Sequence, residues 1–399
     1  MTLPSVEEAR AAMLAKLPRL KAQSVVLAEA VGRVLLEDIT AGRPQPPFDA
    51  SAMDGWAVRA ASTPGRLQIV GESAAGRAFA GAAGPAEAVR IFTGAAIPSG
   101  ADAVVIQEDA SRQGSEVVVP PARPGQNVRP QGQDFRKGDL LIRLGRRLDP
   151  WRLALAASAG MARVAVSRRP IVAILATGEE LVAPGGAPGP FQIFNSGTPC
   201  LAALVRAWGG EAIVLETASD DVESIAAAVR DVRCDLLMTL GGASVGDHDL
   251  VKPALEAHLG LALSIDGIAV RPGKPTWFGS LKDGRSVLGL PGNPASALVC
   301  AELFLRPVLM HLQGGDPALR LLVARSIVAL AANERREHWM RARLVHGAAG
   351  TLEAETFADQ DSSLVTVFAE ADGLVRRSPG ASAVVPGDLV EVLILERAQ

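Results

Sequence analysis

The residues with the clearest chemical potential lie in the segment Leu240 to Gly246, LGGASVG. Gly241 and Gly242 follow an apolar run, and Ser244, Gly246, Asp247 and Asp249 come next. Glycines let the backbone turn tightly and approach a ligand closely. Successive N–H groups in such a turn form a nest for an anion, to which Ser244 adds a hydroxyl donor. Carboxylates beside a phosphate are the usual way to hold Mg²⁺. The plainer alternative is a glycine turn flanked by solvated aspartates. Three more loops carry comparable groups. TGEEL (177–181) places Glu179 and Glu180 after a strand-like run, although one of them also suits the first turn of a helix. LPGNP (290–294) sets Pro291 and Pro294 around Gly292 and Asn293, either for close approach to a ligand or as a rigid turn before a helix. RPGKP (271–275) offers Arg271 and Lys274, a planar fork and a point charge, to one oxyanion or to solvent. FDASAMDGWAV (48–58) contains two aspartates, but Asp54–Gly55 is also a common turn pair. By residue chemistry alone, IFTG (91–94) and GQDFRKGD (132–139) are ordinary turns.

Such loops need a scaffold, and the periodicity supplies one. Ser5 and Glu8 form a capping-box pattern before a helical face of Val6, Ala9, Ala12, Met13 and Leu17. Residues 25–40 predict a short helix running into an extended stretch. RPQPPFDASAMDG (43–55) is a proline-rich loop. From 56 to 138, short alternating runs broken by Gly, Pro, Asp and Ser predict a small β-rich region. Asp149, Pro150 and Gly160 mark a helix between them. That helix and the first one are expected to belong together, with the β region inserted between them. From 168 to 314 strands alternate with helices, and CDLLMTLGG reads as a strand buried on both faces. This predicts a doubly wound α/β domain, with its ligand beyond the carboxyl ends of the strands. From 317 the alternation returns and predicts a small β-barrel or sandwich. The expected organisation is therefore 1–45 continued by 139–167, an inserted β-rich domain at 46–138, an α/β domain at 168–316, and a barrel at 317–399.

Composition narrows the function. With 399 residues, 48% of them hydrophobic, the chain fills several cores. Aromatics are only 4% and Tyr is absent, so those cores are aliphatic. A net charge of -3 gives no broad field for nucleic acid or anionic membrane. Cys200, Cys234 and Cys300 form no CxxC pair, and the five histidines form no HxxxH pair, so neither a disulfide framework nor a structural zinc site is expected. MTLPSVEEAR lacks the apolar core of a signal peptide. No run of about 18 apolar residues is evident, and a cytoplasmic location is the expectation.

Taken in order, SAMDGWAV, RIFTGAAIPSGAD, ATGEEL, LGGASVGDHD, RPGKP and GLPGNPASA cover positions 51–297. Together they closely resemble the molybdopterin molybdenumtransferase family, which includes bacterial MoeA and the E domains of gephyrin and its plant relatives. The resemblance implies that adenylylated molybdopterin and molybdate yield molybdenum cofactor and AMP, with Mg²⁺-dependent cleavage of the pyrophosphate. It further implies a homodimer whose cleft combines the α/β domain of one subunit with parts of the other. Transient contacts with the adenylyltransferase and with cofactor-accepting enzymes follow from the same resemblance. The catalytic residues it implies are Asp54, Thr93, Asp134, Glu180, Asp249 and Lys274. The substrate-binding ones are Gly241, Gly242, Ser244, Gly246, Arg271, Pro291 and Pro294, with Arg341 or Arg343 and Ser362 or Ser363 at the oxyanion. Asp220, or the adjacent Asp221, joins Asp249 at the metal. Trp56 stands where the family usually has Tyr, and Arg271 replaces a common Lys. Two alternatives are an adenylyltransferase, which is usually a single domain, and a gephyrin-like binding module. The flanking β regions argue against the first and the intact carboxylate set against the second.

Overall fold

The computed structural model describes residues 2–242, 250–347 and 350–395. At its centre is a six-stranded sheet in the order Glu211–Val214, Ile171–Ala176, Leu236–Leu240, Ser286–Leu290, Trp277–Ser280, Ala262–Asp266. The first four strands are parallel and the last two antiparallel. Leu236–Leu240 and Ser286–Leu290 are buried along their whole length. Their continuous apolar runs are what a strand covered on both faces requires. Register decides where the loops emerge. Ala176 is opposite Leu240, and Leu240 is opposite Leu290. The segments after these strands, TGEEL, LGG and LPGNP, therefore leave the sheet side by side.

A helical run, Pro294–Leu312, follows the last of these strands and has a π turn at Ala301–Leu305. By length and composition it is apolar enough to cross a membrane, contrary to the expectation from sequence, but 83% of it is buried inside the protein. It packs against the sheet and against barrel residues such as Trp339 and Leu374, which explains an apolar character all round.

The C-terminal unit is a closed barrel of five strands. Glu337–His346 pairs on one side with Leu352–Thr356 and on the other with Gly373–Arg377, and Leu321–Ser326 and Leu389–Ile394 complete the ring. A short strand, Val270–Arg271, leaves the α/β unit and pairs with Glu337 and His338 of the barrel. RPGKP is thereby held at the junction of the two units.

The β-rich region is a six-stranded sheet in the order Ala103–Ile106, Gly55–Val58, Glu87–Ile91, Gly65–Ser73, Glu116–Val119, Ser111–Gln113. Between it and the α/β unit, Ala22–Val26 pairs with Arg163–Ser167, and Ile39–Thr40 with Leu140–Ile142.

Several expectations differ from the structure. The short helix expected in residues 25–40 is a single 3₁₀ turn, Leu27–Glu29, while the extended stretch after it is present and ends in the strand Ile39–Thr40. Strand pairing with Arg163–Ser167 claims Ala22–Val26, so tertiary partners override local helical preference. The capping box at Ser5 is present, but Val6–Lys16 does not join the second helix. Its Val6, Ala9 and Met13 lie in the α/β core beside Ile174 and Leu309. Pro150–Ser158, capped by Asp149 as its sequence predicts, packs with Leu35, Ile142 and Val166 instead. The helix Val365–Glu370 and the antiparallel edge of the sheet had no counterpart in the sequence reading.

Candidate active site

Beyond the strand ends lies a cavity of about 780 Å³, lined by residues of all three aligned loops. Thr177, Gly178 and Glu180 come from the first loop, Gly241 and Gly242 from the second, and Pro291 to Pro294 from the third. Asp220 completes the acidic side. Asp220 and Asp221 differ in their local geometry. Asp221 is the N-cap of the helix Val222–Arg230, accepting from Ser224 N at 2.7 Å. Its carboxyl is held below the usual range by the Ser219 hydroxyl and then by backbone N–H groups. Asp220 is exposed and faces the cavity, accepting only a 3.4 Å bond from Glu179 N.

Gly241 sits at φ +91°, and a Cβ there would come within 3.1 Å of the Thr177 carbonyl. Only glycine suits that close approach. Its N–H, however, donates to the Leu290 carbonyl at 3.2 Å and ties two loops together. Gly241 is thus a brace for the loop, and its N–H is not free for an anion. Ser244, Gly246, Asp247 and Asp249 lie outside the described residues. Ser196 and Gly197, at the N-terminus of the helix Gly197–Ala207, also line the cavity. Ser196 makes no side-chain capping bond, which leaves its hydroxyl available. In the sequence, Ser196 stands out only as a helix opener.

A smaller cavity of about 350 Å³ adjoins the first, and the two share Pro275, Pro291 and Asn293. Its walls carry Arg271, Lys274 and Arg336 against one carboxylate, Asp361, together with Ser296 and Ser362. Ser362 accepts from Asn293 Nδ2 at 2.8 Å, and its carbonyl accepts from Ala295 N, so barrel and α/β loops are tied at the pocket. Ser363 belongs to the larger cavity, where its hydroxyl donates to Asp361 at 2.6 Å.

Arg341 is fully buried and does not line the smaller cavity. Its Nε donates to Gln360 Oε1 at 3.1 Å and its Nη1 to the Asp361 carbonyl at 2.9 Å, fixing the wall from behind. Among the described residues, its Nη2 has no hydrogen-bond partner. Arg343 points elsewhere, to Glu370 and the Phe357 ring. Arg336, which no motif singles out, supplies the third cation; it immediately precedes the strand Glu337–His346, which the pairing of Arg271 with His338 brings to the pocket.

Asp54 and Thr93 form a bonded pair on the inserted β unit, Asp134 lies apart in a turn segment, and none of the three lines either cavity. Gly55 lies opposite Ile91, which sets Asp54 beside Thr93. The Asp54 carboxylate accepts from Thr93 N at 2.7 Å and from its hydroxyl at 2.8 Å. Those two bonds hold its pKa below the usual range. Asp134 is exposed, and its N–H donates to the Gln45 carbonyl.

Fold and site together define a multidomain α/β protein with a divided cleft at the strand ends, the place where open α/β sheets take their ligands. Three family descriptions match in order. These are the MoeA N-terminal region (domain I and II) at residues 4–160, a probable molybdopterin binding domain at 173–311, and the MoeA C-terminal region (domain IV) at 323–395. The chain belongs to the molybdopterin molybdenumtransferase family, and it is a transferase of molybdenum cofactor biosynthesis. It is 35% identical to the molybdopterin molybdenumtransferase of Bacillus subtilis over 93% of this chain and 89% of that protein. Molybdopterin molybdenumtransferase 2 of Mycobacterium tuberculosis is 34% identical, with 92% of each covered. The crystal structure of the molybdopterin biosynthesis MoeA protein from Pyrococcus horikosii superposes with a TM-score of 0.82 at 33% identity, covering all of both chains.

Proposed function

We propose that the larger cavity holds adenylylated molybdopterin and the smaller one molybdate, and that cleavage of the pyrophosphate is coupled to metal insertion where they meet. The observation that carries this reading is the shared wall of Pro275, Pro291 and Asn293. A volume of about 780 Å³ suits an organic substrate. Three cations around about 350 Å³ suit a compact tetrahedral dianion. The helix that begins at Gly197 directs its N-terminal N–H groups and dipole at the larger cavity, a favourable place for pyrophosphate.

Glu180 and Asp220 are the carboxylates that fit Mg²⁺. Among the described residues no cluster of three or more acidic, His or Cys side chains is assembled for a metal. An ion here would be held by one or two carboxylates and completed by substrate phosphates and water. When bound, the ion neutralises charge on the pyrophosphate. The chain's own side chains do the rest. Glu180 and Asp220 lie where water or phosphate oxygens are to be oriented, Arg271, Lys274 and Arg336 hold the oxyanion, and Ser362 and Ser296 offer hydroxyls to it.

The working unit, in this reading, is a homodimer. Thr93 and Asp134 are exposed and Asp54 is half-buried, all three outside the two cavities, and in this reading they complete the cleft of a partner. The unit between the β region and the α/β core exposes Trp151 (83%), Leu144 (58%) and Val31 (49%), apolar surface suited to that contact. A cytoplasmic location and brief contacts with the enzymes before and after it in the pathway belong to the same proposal.

The test is to supply adenylylated molybdopterin, Mg²⁺ and molybdate and to measure AMP and cofactor together. Both should appear in parallel. Lys274→Ala and Arg336→Ala should each raise the molybdate concentration for half-maximal rate roughly tenfold. AMP release that ignores molybdate in all three proteins overturns the assignment of the smaller cavity.

A further inference from the structure

A third cavity, of about 450 Å³, lies away from the cleft, where the α/β unit, the barrel and the N-terminal unit meet. Its cationic wall is Arg146, Arg147 and Arg152 from the N-terminal unit, Arg306 from the core helix, and Arg320 from the segment entering the barrel. Its floor is apolar and includes Trp208, Pro307, Met310 and Leu393.

Among the described residues, five arginines and a single carboxylate, Asp316, line this cavity. Asp316 accepts from Ala318 N at 3.0 Å. Asp149 pairs with Arg152, and Glu302 with Arg306. Two of the arginines are held in place by backbone carbonyls. Arg147 donates to Gly32 O at 3.0 Å and Ala207 O at 2.6 Å, and Arg152 donates to Arg147 O at 3.2 Å. Carbonyls fix a guanidinium without cancelling its charge. Arg146 and Arg320 are exposed, and among the described residues neither has a carboxylate partner.

We infer that this cavity is a second small-molecule site, which takes a phosphomonoester carrying a compact apolar or heteroaromatic body. Its volume falls in the range of small-ligand pockets, and domain junctions are where such pockets concentrate. Guanidinium groups recognise a phosphate dianion by bidentate, charge-assisted bonds. The Pro307, Met310 and Trp208 floor accounts for the organic body that inorganic phosphate lacks. The inference does not depend on what the strand-end cleft binds.

The experiment is calorimetric titration of the full-length protein with 5′-AMP, inorganic phosphate and adenosine, in wild type and in Arg146→Glu/Arg320→Glu. Both substituted residues are exposed and remote from the described cleft, so the melting temperature and the molybdate-dependent rate should hold. The expected result is an AMP-binding event in wild type that weakens at least roughly tenfold in the double variant and with added salt, with phosphate and adenosine each binding more weakly than AMP. An AMP isotherm identical in the two proteins overturns the site. Inorganic phosphate binding as tightly as AMP overturns the role given to the apolar floor. If the double variant melts early, Arg320→Gln alone decides between the same outcomes.

Discussion

At the scale of single residues, adjacent side chains of the same type do different work. Asp221 caps a helix, while Asp220 faces the cavity with little protein bonding. Asp220→Asn should lower the rate of AMP release by ~100-fold or more and leave the melting temperature unchanged. Asp221→Ala should do the reverse, lowering the melting temperature and sparing the rate. Paired kinetics and thermal melts on the two variants check this, and equal effects would remove the distinction. His338 gives a pH signature. Burial, and then the neighbouring Arg271, Arg341, Arg336 and Arg377, push its pKa from 6.5 down to about 4. Between these values the unfolded chain binds the proton and the folded chain does not. Stability should therefore fall as pH drops from about 6.5 to about 4. His338→Gln should flatten that part of the profile of melting temperature against pH. A slope unchanged in the variant would assign it to other groups.

At the scale of elements, the RPGKP loop depends on what lies beneath it. Gly273 sits at φ +111°, and a Cβ there would fall 2.2 Å from Cys300 Sγ, a fully buried thiol. Thr276 Oγ1 bonds both the Gly273 carbonyl at 2.8 Å and that sulfur at 3.1 Å. Burial pushes the Cys300 thiol up to about 12, so it acts as packing and not as a nucleophile. Gly273→Ala should cost about 1–3 kcal/mol through strain and displace Arg271 and Lys274 together. The expected readout is a rise in the half-saturating molybdate concentration larger than the change in maximal rate. Unchanged saturation with lowered stability would show that the loop tolerates the shift.

At the scale of the whole molecule, the groups implied by family resemblance fall into two sets that one chain does not join. Glu180, Asp220, Arg271 and Lys274 line the cleft, whereas Asp54 and Thr93 flank strands of the inserted sheet and Asp134 lies in a turn segment, all outside it. In the proposed homodimer the two sets would meet. Trp151→Asp should shift the protein to monomer in light scattering and reduce AMP release. Mixing it with a second variant, Thr93→Ala, should not restore activity while the interface is broken. A monomeric Trp151→Asp protein with full activity would show that one chain suffices.

Much of this was legible in the sequence because it is local. The capping box at Ser5, the Asp149–Pro150 helix start and the buried strand before Gly241 each depend on neighbours within a few residues. The order of the motifs was enough to indicate the family. What only tertiary structure decided depends on partners far along the chain. Ala22–Val26 became a strand because Arg163–Ser167 was there to pair with it, and the first helix joined the α/β core because Met13 packs beside Leu309. Arg341 was moved behind the wall and Arg336 onto it by how the barrel closes around Glu337–His346. Sequence determined which residues had the chemistry. Register and long-range pairing determined which of them meet, since side-chain direction in a strand follows from its partner and not from its own spacing.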